Sequence, residues 1–133
     1  MAGKVKTEKG VTLSGGIRRF WEERRELNDL VLKNAGLTTR RFFNLDHQAY
    51  QEGALPVKTK ELLGLVASLV LRCDDCIAYH LVRCREEGVT DAELEEALAI
   101  GLVVGGSIVI PHLRRAVKAW EEMRSGGEEP HNI

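Results

Sequence analysis

Cys73, Cys76 and His80 lie at i, i+3 and i+7. On a helix turning about 100° per residue they share one stripe. Cys84, eleven residues after Cys73, falls on the same stripe. Two chemistries fit such a row. The first is metal binding, through Cys73, Cys76, His80 and Cys84. On an unbroken helix, however, Cys73 and Cys84 stand about 16 Å apart along the axis. Ligands about 2.3 Å from one zinc lie only about 4 Å from each other. A three-ligand site therefore needs an outside ligand, for which Glu61 is the candidate. The second chemistry is dithiol–disulfide exchange. Two cysteines three apart at a helix start can join, and a helix N-terminus favours the thiolate. His80, one turn beyond Cys76, is placed to take and return its proton. The redox reading is preferred, and metal binding stays open as its rival.

The elements must deliver that stripe. Residues 1–13 are polar and aperiodic, and read as a flexible arm. Helical periodicity begins near Ser14 or Gly15 in Ile17, Phe20, Trp21, Leu27, Leu30 and Val31. Gly36 is placed to end that helix as a C′ glycine. Thr38 or Thr39 is expected to cap a second helix running to about Glu52. A third helix starts at Pro56 or Val57 and is apolar nearly all round, so it is buried centrally or in a subunit interface. A break at Arg72–Asp75 is expected, because Asp74 and Asp75 favour a helix start. That break puts the cysteines at the N-terminus of helix four, which Gly88 closes. Thr90 and Glu93 form a capping box for helix five. Gly101 and Gly105 give that helix a flat strip for close packing. A last helix runs through Ala116, Val117 and Trp120 to about Met123. His47 and His112 have no evident partner and are read as structural, as are Gly64 and Ser68. Cys84 reads as a small buried apolar residue. No β-hairpin signal is evident. The domain spans 14–125, and 126–133 form a frayed tail.

The chain has 133 residues, 44% of them hydrophobic, which suits one domain with a small core. Lys+Arg at 19 against Asp+Glu at 20 leaves a net charge of −1. That balance argues against nucleic acid or an anionic membrane as partner. The N-terminus lacks an apolar signal region, and no apolar run reaches the roughly 20 residues that span a bilayer. Three cysteines suit a reducing compartment with one reactive pair, so a cytoplasmic protein is expected.

Glu61 stands twelve residues before Cys73, completing Glu-x11-Cys-x-x-Cys-x3-His in Glu61, Cys73, Cys76 and His80. With GVTDAELEEAL and the glycines, proline and alanine that follow it up to Ala116, this resembles the AhpD-like branch of the carboxymuconolactone decarboxylase family. The resemblance covers about residues 40–120. It implies an all-α fold of about six helices, with the CxxC opening a central helix. It implies homo-oligomers, either trimers or dimer-based hexamers. It implies a peroxidase or disulfide reductase without a tightly bound cofactor, passing electrons from a lipoyl-type dithiol to a peroxiredoxin or directly to hydroperoxide. By matching positions, Cys76 is the nucleophile that becomes sulfenic acid and Cys73 the resolving thiol. Glu61 and His80 form the proton relay. One departure stands out. The family carries Ser-His between the cysteines, whereas this chain has Asp74-Asp75. Two carboxylates beside the sulfurs disfavour the thiolate, which makes the dithiol more reducing and slower as a nucleophile. A lactone decarboxylase is the enzymatic alternative, which the intact cysteine pair disfavours. A metal-binding helical module is the non-enzymatic one.

Overall fold

The computed structural model describes residues 3–124. Two short strands precede six α-helices: β1 (Val5–Lys6), β2 (Thr12–Leu13), α1 (Gly15–Asn34), α2 (Leu37–Ala49), α3 (Val57–Val70), α4 (Asp74–Glu86), α5 (Asp91–Gly105) and α6 (Ile110–Glu121). A 3₁₀ turn over Ser107–Val109 leads into α6. The all-α class holds, apart from the two strands. Among the described residues no helix is long and apolar enough to cross a membrane.

Helix α3 is central and packs on α4 and α5, while α4 also meets α6 and α1. The apolar periodicity of α3 sends Leu65 and Leu69 into the core, where both are fully buried. Each such leucine contributes about 2 kcal/mol of burial. Leu81, Val82, Leu94, Leu98 and Trp120 close around them. Gly101 does what a small residue on α5 can do: a Cβ there would lie 2.7 Å from a Leu69 methyl.

Within the arm expected over residues 1–13, residues 5–13 form a hairpin. Val5 pairs with Leu13 and Lys6 with Thr12 in antiparallel register. Val11 and Leu13 enter the core, and Thr7 donates to Glu86 Oε2 of α4 at 2.7 Å. So the segment is held by apolar anchors and by polar bonds to the end of α4, which include a Lys9–Glu87 ion pair at 3.4 Å. The tail expected over 126–133 lies outside the described residues.

Three caps differ from expectation. Gly36 does follow α1, but with φ −81° it serves as the N-cap of α2, and Thr38 and Thr39 lie inside that helix. Helix α2 stops at Ala49, short of Glu52. The first turn of α1 is capped from the far end of the chain, by the Glu122 carboxylate accepting from Gly16 N–H (2.8 Å) and Ile17 N–H (3.2 Å). The capping box of α5 forms as expected. Thr90 Oγ1 accepts from Glu93 N–H at 3.1 Å, and Glu93 accepts from Thr90 N–H at 2.9 Å.

Candidate active site

The turn from α3 to α4 places the cysteines. Leu71 caps α3, Arg72 takes a left-handed conformation (φ 59°), and Cys73 becomes the N-cap of α4. Cys73 N–H donates to Ser68 O (3.1 Å) and Arg72 N–H to Leu69 O (3.0 Å). This is a Schellman arrangement, with arginine where glycine is usual. The expected break at Arg72–Asp75 is therefore present.

Cys73 and Cys76 are joined as a disulfide, with Cα atoms 5.2 Å apart. The Cys73 sulfur also accepts from the Cys76 N–H, at 3.3 Å. Cys76 is exposed and Cys73 less so. Cys76 and His80 line a cleft of about 460 Å³, whose walls include Phe20, Leu27 and Tyr79.

Behind Cys76, His80 and Glu61 are in contact. His80 Nδ1 donates to Glu61 Oε1 at 2.8 Å. Glu61 is only 1% exposed, an extreme burial for a carboxylate that demands partners. Arg83 supplies the second, its Nε 3.4 Å from Glu61 Oε2. Burial pulls the Arg83 guanidinium down, yet its hydrogen bond to Glu86 and the charge of Glu61 raise it overall. In the neutral tautomer that gives its Nδ1–H to Glu61, the lone pair of His80 lies on Nε2.

Several site residues escaped the sequence reading. Tyr50 OH lies 3.3 Å from His80 Nε2. Tyr79 meets the His80 ring edge-on, stacks on Trp21 and carries Arg24 over its own ring at 4.1 Å. Burial and Glu61 raise both phenols above the ordinary tyrosine range, so they remain O–H donors at neutral pH. Gly64 offered a signal: it sits three residues after Glu61, on the same helical face.

His112, read as structural with no evident partner, donates through Nδ1 to Asp74 Oδ1 at 2.7 Å. Arg115 reaches Asp74 Oδ2 at 3.1 Å. The charge of Asp74 is thus answered from α6. Asp75 remains in the cleft wall beside Cys76. The penalty expected from two carboxylates beside the thiols reduces largely to one.

Cys84 is fully buried. Burial first, then the Glu61 charge, push its thiol up to about 12. It lies in the core, away from the exposed pair. Among the described residues no three His, Cys, Asp or Glu side chains converge as metal ligands. His47 is exposed, and its ring Nε2 lies 3.2 Å from Gln51 Nε2.

The sequence model of the carboxymuconolactone decarboxylase family matches residues 37–119. This chain belongs to that family. A crystal structure of a Thermotoga maritima protein, TM1620, is 68% identical and superposes with a TM-score of 0.77, over 79% of this chain and 92% of that one. A second crystal structure of the same protein describes it as a carboxymuconolactone decarboxylase family member and a candidate in the antioxidative response. A carboxymuconolactone decarboxylase family protein of Legionella pneumophila is 25% identical, with a TM-score of 0.75 over 80% of this chain and 96% of that one. An uncharacterised Cupriavidus necator protein is 36% identical over 77 residues, which are 58% of this chain and 68% of that one. Within the carboxymuconolactone decarboxylase family, the AhpD-like branch fits the paired cysteines at the start of α4.

Proposed function

We propose that this protein is a thiol–disulfide oxidoreductase of the AhpD-like kind, cycling Cys73 and Cys76 between disulfide and dithiol. One observation carries the reading. A disulfide opens α4 with its Cys76 end in a cleft, next to a histidine already held by a buried carboxylate. The antioxidative description of TM1620 points the same way.

The reductive half begins with a donor thiolate attacking the exposed Cys76 sulfur. The Cys73–Cys76 bond breaks and Cys73 leaves as thiolate, stabilised by the Cys76 N–H and the helix N-terminus. The donor's second thiol then attacks the mixed disulfide. The donor leaves as its own disulfide, and Cys73 and Cys76 have gained two electrons and two protons. A lipoyl-type dithiol is the donor class. In the oxidative half Cys76 gives its proton to His80 Nε2, and its thiolate attacks a hydroperoxide oxygen. The O–O bond breaks, and the alcohol leaves with the proton from His80. The sulfenic acid on Cys76 condenses with the Cys73 thiol, releasing water and restoring the disulfide. The same two electrons can instead pass to a peroxiredoxin disulfide. Glu61 holds the imidazole and stabilises its cation throughout. This cycle suits a cytoplasmic protein and needs no tightly bound cofactor. A lactone decarboxylase would make no use of the paired sulfurs.

The test is mass-resolved alkylation during a redox titration of wild type, Cys76→Ser and Cys84→Ser. Wild type and Cys84→Ser should lose two thiols together on mild oxidation, and Cys76→Ser should form no internal disulfide. Dihydrolipoamide and hydroperoxide turnover should follow that pattern. If no Cys73–Cys76 disulfide forms at any potential, the oxidoreductase reading is wrong.

A further inference from the structure

His80 Nε2 has one lone pair, and two groups can claim it. Tyr50 OH already sits 3.3 Å away, with ring centroids 5.2 Å apart and planes tilted by 41°. The other claimant is the proton of a reduced Cys76. The two come from different sides. Cys76 lines the first cleft. Tyr50 lines a second, of about 470 Å³, shared with Glu61 and Arg83. Residue 64 leaves room for the pair: a Cβ there would fall 2.7 Å from both Tyr50 OH and His80 Cε1. Only glycine admits this approach. Burial and the Glu61 charge keep the phenol protonated, so it is the donor in this bond.

We propose that Tyr50 is a positioning residue of the relay: its O–H holds the Nε2 lone pair while the cysteines are joined, and yields it to the Cys76 thiol when they are reduced. The inference rests on the redox reading above. In the disulfide neither sulfur carries a proton, so nothing else needs the base. Reduction brings two electrons and two protons from the dithiol donor and creates Cys76–SH. Its proton moves to Nε2, the Nδ1–H stays on Glu61, and the phenol turns its O–H away. No atom is lost and Tyr50 stays protonated. Tyr50 is thus a competitor of the thiol, and its removal frees the base.

Other charges face His80. Glu61 comes from α3, Asp46 from α2, Glu23 and Arg24 from α1, and Asp75 and Arg83 from α4 itself. Tyr50→Phe changes none of them, so a comparison with wild type isolates one O–H. The full chain is reduced, and alkylation of Cys76 by iodoacetamide is followed by mass from pH 5 to 9. The ¹⁵N resonance of His80 Nε2 is recorded on the same proteins before reduction. In Tyr50→Phe the alkylation profile should move to lower pH, with Cys76 about fivefold faster at pH 6, the effect of one ordinary hydrogen bond. The Nε2 resonance should take the position of an unbonded lone pair. An unchanged profile, or slower alkylation, in Tyr50→Phe overturns the proposal and leaves Tyr50 as packing. The two readings fail separately. A wild type that forms no disulfide defeats the redox reading, while the ¹⁵N resonance still decides whether Tyr50 holds His80.

Discussion

Cysteine chemistry in this chain is sorted by burial. Cys76 faces a cleft, whereas Cys84 is sealed in the core with its thiol pushed up to about 12, by burial first and the Glu61 charge second. The sign of the pH effect follows. The unfolded chain loses this proton near the ordinary thiol value and the folded chain keeps it. Above that value the unfolded state is favoured, so stability falls by about 1.4 kcal/mol per pH unit until the folded value is reached. Urea midpoints of wild type and Cys84→Val, taken at pH 8 and pH 10, should diverge, with wild type losing more. Parallel lines would mean that Cys84 titrates as if exposed. The shared face of Cys76 and His80 was readable without coordinates, because helical periodicity turns spacing into a face, whereas Glu61, on α3, was singled out by the family pattern. The pairing of His112 with Asp74 was not, since 38 residues separate them and only the packing of α6 on α4 brings them together. Tyr50 was hidden for the same reason.

Among the elements, the turn before α4 bears the strain. Arg72 sits in the left-handed region at φ 59°, while Gly88 closes α4 at φ 78° in the same Schellman arrangement. The glycine accepts that conformation freely and the arginine does not. Arg72→Gly should therefore stabilise the protein by about 1 kcal/mol in urea melts, with the disulfide kept intact in both proteins. A loss of stability would show that the arginine side chain contributes more than its backbone costs. Where capping was local it could be read directly, as in Thr90 and Glu93. Where it was remote it could not. Thr38 and Thr39 look like caps, yet Gly36 takes that place, and α1 is capped by Glu122. The hairpin escaped because each strand has only two residues, too few to show an alternating pattern.

On the scale of the molecule, apolar surface is left over. Helix α2 has no buried residue, and Phe42 and Leu45 on it are 67% and 62% exposed. Leu27, Leu30 and Val31 are likewise exposed on α1, and Ile100, Val103 and Val104 on α5. A 13-residue helix is marginal in water without packing. We propose that further copies of this chain cover these faces. Light scattering after size exclusion should give an oligomer for wild type and a smaller species for the double variant Phe42→Asp, Leu45→Lys. A wild-type monomer would refute this. Periodicity revealed these stripes, but not whether the chain itself would cover them.

The capping of α1 by Glu122 spans 106 residues. During synthesis the N-terminal helix leaves the ribosome long before its cap exists. Helices α3, α4 and α5, neighbours in sequence, can pack as they emerge, since their contacts close short loops. The first turn of α1 stays unsecured until α6 is out. The first turn of the first helix made is thus among the last to be fastened, and a ribosome that stalls before Glu122 leaves that turn without its carboxylate cap.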